Sequence, residues 1–576
     1  MTETAREALA RWFGFADFRP GQETVVRTVL SGRDALAVMP TGSGKSLCFQ
    51  LPALMLPGTT LVVSPLIALM KDQVDALRRR RIPATFLNMT LTREEESLRL
   101  RRLRAGHYKL VYVAPERFRN APFREALAET NLSMLTVDEA HCISAWGHDF
   151  RPDYLCLGDF IRQSPSDVRI LATTATATAE VRRDILRHLA LGEGGRPEPL
   201  TVVTGFSRPN LELRVTPVRS HEEKLDRVLR AIARFRCGIV YCATRRAVER
   251  VHCQLRECGV EALAYHGGMP ERIRTRVQDA FVRQAEPVVV ATNAFGMGVD
   301  RPDIRFAIHW DVPGAIEAYY QEVGRAGRDG VHAWCELLFH PDDVRTQTFF
   351  AESDRPALAQ AAECYAAVAN ACAEGDEGLA ALDETALAER SGLASPQAAR
   401  SLISQFERAG LVRRAWRATS SQPFWALVPH DDVPALLKVI VDTFSEREAA
   451  SRRRLEALLD YVRTPCCRHA FLLNYFGDGQ KEEGPCGRCD RCLAAAPSAA
   501  TADRLFDCLQ TWARRKAEAL LLPEHLVLPR AVRFAIACAQ PETLEDLAGV
   551  PGVGERLLDT FGEEVLELAR PFVKRS

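Results

Sequence analysis

The sequence predicts an α/β protein in which two parallel-sheet lobes follow one another and a helical region completes the chain. Three observations carry this expectation. At 576 residues the chain is too long for one hydrophobic core, so several domains are expected. Residues 1–345 alternate short, continuous, β-branched runs with amphipathic stretches, the pattern of strands buried on both faces of a parallel sheet. Beyond residue 350 the chain turns alanine-rich and helical.

Taken in order, the runs 34–40, 59–65, 110–116, 134–141 and 169–175 predict the strands of a first sheet. A second set, 238–244, 288–294, 306–312 and 335–339, predicts another. Between them, 200–217, with Pro199 just before it, Pro209 within it and Pro217 at its end, reads as a linker between lobes. Further on, 384–390 reads as a helix and Gly392 as a turn. Ser395 with Pro396 then forms a serine N-cap and first-turn proline for a second helix. Ala399, Leu402, Ile403 and Phe406 share one face of that helix. Gly410 closes it, and 411–417 and 424–428 read as two short strands. Helix, turn, helix and hairpin is a winged-helix pattern, open between a DNA reader and a packing module. A small-residue stretch, 494–502, separates a last helical part in which Leu505, Cys508, Leu509 and Trp512 share a face.

Composition narrows the classes. The 75 basic and 75 acidic residues cancel, so any nucleic-acid site must come from local patches rather than from global charge. The arginine-rich runs at 78–81, 452–454 and 514–516 are candidates, beside the plainer reading of solvated helix faces. The N-terminus contains acidic residues and lacks an apolar signal core, and no apolar run reaches the ~18 residues of a membrane span. A cytosolic chain with reduced thiols is expected, so the 17 cysteines do not read as a disulfide framework.

The string MPTGSGKS at 39–46 follows an apolar run and precedes an apolar helical one. Gly42 and Gly44 let the amides of 41–46, Thr41 and Ser43 among them, curl around phosphate oxygens. Lys45 supplies a cation for the β and γ phosphates, and Ser46 offers a hydroxyl to Mg²⁺. Met39 stands where the strict pattern has glycine. LTVDEAH at 135–141 ends a strand in two carboxylates: Asp138 suits Mg²⁺ through water, and Glu139 suits the proton of an attacking water. Together the two motifs predict a nucleoside triphosphatase using ATP and Mg²⁺.

The remaining motifs resemble superfamily-two helicases and, in detail, the RecQ family of DNA helicases, over most of the chain. FGF at 13–15 with FRPGQ at 18–22 resembles that family's adenine-reading element, which implies Arg19 and Gln22 on the base edge. The strings at 64–73, 112–117 and 171–178 resemble its next motifs. The run CISAWGHDFRPDY at 142–154 resembles its aromatic-rich loop; Trp146 and Phe150 suit stacking on unpaired bases and Arg151 suits a phosphate or base. His141 and His148 would relay DNA occupancy to the carboxylates. In the second half, 265–268 and 291–300 resemble DNA-contact and coupling motifs. QEVGRAGR at 321–328 resembles the arginine-finger motif, with Gln321 positioning water and Arg325 and Arg328 reaching the γ-phosphate. Two RecA-like lobes are implied, divided at 1–206 and 207–345.

CGRCDRC at 486–492 places three thiols at CxxCxxC spacing, with Cys466 and Cys467 upstream. A Cys₄ structural zinc site is the leading reading, with an iron–sulfur cluster as its rival. The family's placing of its first ligand before a basic residue and an LLNYFG-like stretch implies Cys467, with Cys486, Cys489 and Cys492. The expected divisions are a connector at 346–445 containing the winged-helix-like segment (about 376–430), a zinc module at 446–495, a linker at 496–501 and an HRDC-like domain at 502–576. The family places a winged helix after its zinc module. Here the similar segment precedes it, so no duplex-splitting hairpin is assigned.

The resemblance implies an ATP-dependent helicase moving 3′ to 5′ on DNA in repair and recombination. An RNA helicase, a DNA-stimulated translocase and a DNA-structure-binding scaffold are the alternatives. Expected partners are single-stranded, branched and duplex DNA and a single-strand-binding protein. The chain is expected to be a monomer in the nucleoid-associated bacterial cytoplasm, without a membrane.

Overall fold

The computed structural model describes residues 4–65, 67–144, 151–165, 167–296, 301–352, 355–415, 424–478, 486–494, 499–520, 522–550 and 552–572. They fall into two compact units, 1–340 with 457–576, and 341–456.

The first unit holds two all-parallel sheets. The first sheet contains β1 (Ala35–Val38), β2 (Thr59–Val63), β3 (Ala84–Leu87), β4 (Leu110–Val113), β5 (Leu132–Val137), β6 (Arg169–Thr174) and β7 (Leu200–Val203), in the order β3-β4-β2-β5-β6-β1-β7. The second contains β8 (Leu211–Pro217), β9 (Gly238–Tyr241), β10 (Ala262–Tyr265), β11 (Val288–Ala291), β12 (Phe306–His309) and β13 (Ala333–Phe339), in the order β10-β11-β9-β12-β13-β8. β1, β2, β4, β9, β11 and β12 are buried at every position, as their unbroken apolar runs require of strands covered on both faces. Helices such as His221–Phe235 and Arg245–Glu257 cover the sheets with one apolar stripe each, Val228 and Ala231 on the first and Val248, Val251 and Leu255 on the second.

Several strands are shorter than the apolar runs suggest. β1, β2 and β5 stop at Val38, Val63 and Val137, so that Met39–Ser46, Ser64 and Asp138–Glu139 leave the sheet at its carboxyl edge, where parallel-sheet proteins place their ligands.

The linker reading of 200–217 is corrected. Most of that segment is strand: β7 pairs with β1 at one sheet edge, and β8 pairs with β13 at the edge of the other. Only 204–210 joins the lobes. β8 alternates buried Leu211, Leu213 and Val215 with half-buried partners, and β7 is mostly half-buried, so neither shows the solid apolar run of an inner strand.

The second unit matches the predicted order of helix, turn, helix and hairpin. Helices Glu384–Arg390 and Pro396–Arg408 precede β15 (Val412–Ala415) and β16 (Phe424–Leu427), and β14 (Leu379–Ala380) completes an antiparallel sheet in the order β14-β16-β15. The Ser395 hydroxyl accepts from Ala398 N at 3.2 Å, with Pro396 in the first turn. Ala399, Leu402, Ile403 and Phe406 are all buried, as their spacing requires.

The C-terminal helices Ala499–Leu520, Arg530–Ala539 and Glu555–Ala569 enclose a core containing Leu505, Leu509, Ile536 and Val565. Of the face predicted there, Leu505 and Leu509 are buried, while Cys508 and Trp512 are half-buried. No helix among the described residues is long and apolar enough to cross a membrane.

Candidate nucleotide and nucleic-acid site

The loop after β1 curls because Gly42 and Gly44 adopt φ of 83° and 81°, a region open to glycine. The helix Leu47–Met55 begins immediately after Ser46, so the amides of 42–46 gather at a helix N-terminus. Arg19 and Gln22 hold this loop from outside. Gln22 Nε2 donates to the carbonyls of Ser43 (2.9 Å) and Gly44 (3.1 Å), and its Oε1 accepts from Arg19 N at 2.9 Å. Arg19 Nη1 donates to Gly42 O at 2.6 Å. A Cβ on Gly44 would lie 2.7 Å from Gln22 Nε2, so glycine is needed for the approach as well as for the turn. The pair expected on a base edge thus also sets the shape of the phosphate loop. Gln22→Ala is expected to raise the KM for ATP on the order of tenfold by loss of two neutral hydrogen bonds; steady-state ATPase measures it, and an unchanged KM would separate Gln22 from the nucleotide.

Lys45 Nζ rests on Met39 O at 3.2 Å. Burial pushes its pKa down, while the charges of Glu139 and Asp138 support the ammonium form. Asp138 is pushed up to about 6, chiefly by burial and then by the charge of Glu139, against a hydrogen bond from Thr173 Oγ1 at 2.7 Å. Glu139 occupies the left-handed region at φ 48°, which turns its side chain away from the direction of the strand. Its Oε2 lies 3.4 Å from His141 Nδ1, which is 2.9 Å from Thr174 Oγ1. Ser43 Oγ and Glu139 Oε2 are buried with no hydrogen-bond partner among the described residues. Such orphaned groups beside a cation and a carboxylate pair fit a site for phosphate, magnesium and water.

The second lobe closes over this site. Gln321, at the end of helix Ile316–Val323, donates to Thr176 Oγ1 of the first lobe at 3.1 Å. Arg328 is close enough to Lys45 to disfavour its protonation, and a Cβ on Gly42 would lie 3.5 Å from Arg328 Cγ. Arg325 lies instead along its own lobe, where Nη1 donates to Gly296 O and a Cβ on Gly296 would collide with the guanidinium. Of the two arginines, Arg328 stands over the phosphate loop and Arg325 is held back from it.

On the nucleic-acid side, Trp146, His148 and Phe150 lie outside the described residues. Arg151 Nη1 donates to Pro65 O at 3.2 Å, which joins the end of the aromatic-rich loop to the segment after β2. Gln50, in the helix after the phosphate loop, donates to Gln73 Oε1 (2.7 Å) and Tyr112 Oη (3.1 Å), linking the strings at 64–73 and 112–117 to the phosphate loop's helix. The arginine-rich runs are largely engaged elsewhere. Arg80 donates to the carbonyls of Trp12 and Phe13, Arg452 pairs with Glu352 and Glu448, and Lys516 pairs with Glu564. These arrangements favour the structural reading of those patches.

The four predicted metal-binding thiols come together: the Sγ atoms of Cys467, Cys486, Cys489 and Cys492 all lie within 4.8 Å of one another. Cys486 and Cys492 are 3.7 Å apart, against about 3.8 Å for the edge of a tetrahedron of sulfurs at the usual zinc–sulfur distance. Mutual hydrogen bonds push the Cys467 thiol up and the Cys489 thiol down, the latter against its burial. This donor set fits a tetrahedral Zn²⁺, with Cys467 as the upstream thiol. Cys466, its neighbour in sequence, stands outside this cluster.

The module around these thiols docks on the edge strand β8. Asp490 Oδ2 accepts from Val215 N at 3.2 Å, His469 Nε2 lies 3.0 Å from Leu211 O, and Cys489 bridges to Leu213. Arg468, fully buried, makes a two-pronged pair with Asp490 at 2.6 and 2.9 Å and donates to Tyr461 O. The open edge of the sheet is thereby capped.

Sequence reasoning named the motif at 171–178 without assigning work to its threonines. Thr173, Thr174 and Thr176 contact Asp138, His141 and Gln321 respectively. Their alternation of hydroxyl and methyl-sized residues after an apolar strand was the available signal.

Comparison with known proteins agrees with this anatomy. Residues 19–185 match the DEAD/DEAH box helicase family, 220–330 the helicase conserved C-terminal domain, 430–493 the RecQ zinc-binding family and 502–568 the HRDC domain. The chain is 44% identical over 353 residues to the ATP-dependent DNA helicase RecQ of Bacillus subtilis, covering 61% of this chain and 59% of the relative. It is 46% identical over 340 residues to RecQ of Haemophilus influenzae, covering 59% and 54%. It is 41% identical over 345 residues to the probable ATP-dependent DNA helicase RecS of Bacillus subtilis, covering 59% and 68%. The matched region spans a little over half the length of the two RecQ relatives.

Proposed function

The chain belongs to the RecQ family of DNA helicases, and from that premise we propose that it couples ATP hydrolysis to movement on single-stranded DNA and to duplex unwinding. The single observation that carries this reading is the approach of one lobe to the nucleotide site of the other, Arg328 beside the phosphate loop at Gly42 and Gln321 on Thr176. A site assembled from two lobes opens and closes with the nucleotide, and that is how hydrolysis becomes motion.

In this reading Lys45 and Ser46 hold the phosphates and magnesium with Asp138. Glu139 takes the proton of the attacking water, Gln321 orients that water, and Arg325 and Arg328 face the charge that develops at the γ-phosphate. Mg²⁺, when held by Ser46 and Asp138, would supply neutralisation of phosphate charge. Arg325 must leave Gly296 O to take its part, so its release belongs to the step that follows ATP binding. The residues Trp146, His148, Phe150 and Arg151 report strand occupancy to the carboxylates through His141. Cys467, Cys486, Cys489 and Cys492 hold a structural zinc; four thiolates leave no open position for chemistry.

We assign the chain to DNA repair and recombination, as a monomer on single-stranded and branched DNA, working beside a single-strand-binding protein in a bacterial cytoplasm. The test is strand separation on duplexes carrying a 3′ or a 5′ single-stranded tail, with ATP. Unwinding of the 3′-tailed duplex alone is expected. ATPase stimulated by DNA without strand separation would reduce the reading to a translocase, and preference for an RNA strand would overturn it.

A further inference from the structure

The segment 204–210 joins the two lobes between β7 and β8, and a connector of this length needs only to span them. Its side chains do more. Arg208 donates from Nη1 to Thr41 O (3.3 Å), beside the phosphate loop, and to Gly324 O (3.0 Å). From Nη2 it donates to Ala326 O (2.9 Å) and Gly327 O (3.0 Å). One guanidinium thus reaches a carbonyl of the first lobe and three carbonyls of the loop that carries Arg325 and Arg328. Asn210 Nδ2 adds hydrogen bonds to Gly327 O (2.7 Å) and Val331 O (2.9 Å). Phe206 anchors the segment. Its ring stacks on Phe476 at 4.6 Å and 11°, its amide donates to Asp478 Oδ2 at 2.5 Å, and its carbonyl accepts from Tyr320 Oη at 2.8 Å.

We propose that Arg208 is a positioning residue for ATP hydrolysis, which sets the arginine-finger loop against the phosphate loop by donating to carbonyls on both. The inference rests on the ATPase reading above. Arg208 touches neither nucleotide nor reacting atoms; it acts through the backbone that bears Arg325 and Arg328. The fit is particular to arginine. Its planar fork presents donors in two directions, whereas a lysine ammonium is a single point on a flexible stem. The carbonyls it serves flank both fingers: Gly324 and Ala326 lie on either side of Arg325, and Gly327 precedes Arg328. Thr41 O precedes Gly42, over which Arg328 stands. When the lobes separate, the contact with Thr41 is the one that breaks, while the three within the second lobe keep the loop in shape for the next closure.

The experiment compares Arg208→Ala and Arg208→Lys with the wild-type full chain. It measures DNA-stimulated ATPase, binding of a fluorescent ADP, binding of a labelled oligothymidine, and melting temperature. For Arg208→Ala we expect kcat to fall by about 100-fold, with KM, ADP affinity and DNA affinity each within about threefold, as for a group that only orients the transition state. Arg208→Lys should recover less than about a tenth of the lost rate, because one ammonium does not span both loops. Arg208→Ala turning over ATP at a rate near wild type overturns the proposal. So does a loss of rate accompanied by an equal loss of ADP affinity, which would mark a general scaffold. If the alanine variant fails to fold, Arg208→Lys decides alone, and full activity there refutes the two-loop contact. Wild-type protein that hydrolyses no ATP sinks the ATPase reading and this inference with it, whereas an active wild type with an active Arg208→Ala sinks this inference alone.

Discussion

Lys45→Ala is expected to lower DNA-stimulated ATP turnover by about 100- to 1000-fold, the cost of removing one preorganised charge from a transition state, while single-stranded DNA is still bound. The ammonium sits among Asp138, Glu139 and Arg328, where burial and the charge of Arg328 work against its charge and the two carboxylates favour it. It is therefore already in place before nucleotide arrives. No other described side chain supplies a cation from within the phosphate loop itself. ATPase and fluorescence anisotropy on a labelled oligonucleotide check both halves; retained turnover would refute the site.

The same substitution has a signature in stability that runs with pH. Asp138, pushed up to about 6 mainly by burial and next by Glu139, keeps its proton in the folded chain at pH values where an unfolded aspartate, titrating near 4, has lost it. The folded state binds more protons in that window, so this group makes the nucleotide-free protein less stable as pH rises from about 4 to about 6. Lys45 lowers the Asp138 pKa. Removing it moves the upper end of the window to higher pH, so the melting temperature of Lys45→Ala should keep declining above the pH at which the wild type levels off. A parallel decline in both proteins would show that Lys45 does not compensate the carboxylates.

How much of this was readable beforehand depends on how local the chemistry is. The loop at 39–46, Asp138–Glu139 and the run 321–328 are contiguous strings whose residue types are dictated by phosphate and charge, and each lies where a strand or helix presents it. The thiols of 486–492 announce themselves by spacing, and Cys467 follows from the resemblance around it. Arg208 was not legible. It stands in a proline-flanked stretch without a motif of its own, and its four acceptors are backbone carbonyls, which leave no trace in side-chain identity.

The misreadings have equally physical causes. β3 is four residues long and follows Pro83, too short for any period to show. β7 lies at a sheet edge and is mostly half-buried, so the apolar run expected of an inner strand is missing. The run at 78–81 looks like a basic patch because charge is visible in sequence and carbonyl acceptors are not; Arg78 donates to Ala84 O and Arg80 to Trp12 O and Phe13 O. Gln22 is expected on a base, and that its amide also holds the phosphate loop could not be read from the motif. Long-range hydrogen bonding by polar side chains decides the last two cases, and it is the term that periodicity does not carry.

Removal of zinc is the second large effect expected, and it should reach the ATP site. Protein purified without chelator is expected to carry one zinc per chain, Cys489→Ala none, and Cys466→Ser still one, because Cys466 stands outside the thiol cluster. Loss of the metal leaves four thiols crowded within 4.8 Å of one another. Structural zinc contributes on the order of 10 kcal/mol in small isolated modules. Here packing supplies part of the order, through the buried Arg468–Asp490 pair and the contacts with β8. A fall of several degrees or more in melting temperature is therefore expected rather than complete unfolding. The helix Arg468–Tyr475 follows Cys467 directly, and just beyond it Phe476 packs on Phe206 and Tyr320 while Asp478 holds the Phe206 amide. Tyr475 Oη donates to Glu317 at 2.8 Å, in the same helix as Gln321. Loosening this module therefore loosens the connector and the arginine-finger loop together, and ATPase should decline in step with zinc content during titration by a chelator. Magnesium must be held in excess so that the chelator takes zinc alone. Full ATPase in zinc-free protein would uncouple the module from the motor, and absence of zinc from freshly purified protein would return the cluster to its rival reading as an iron–sulfur site.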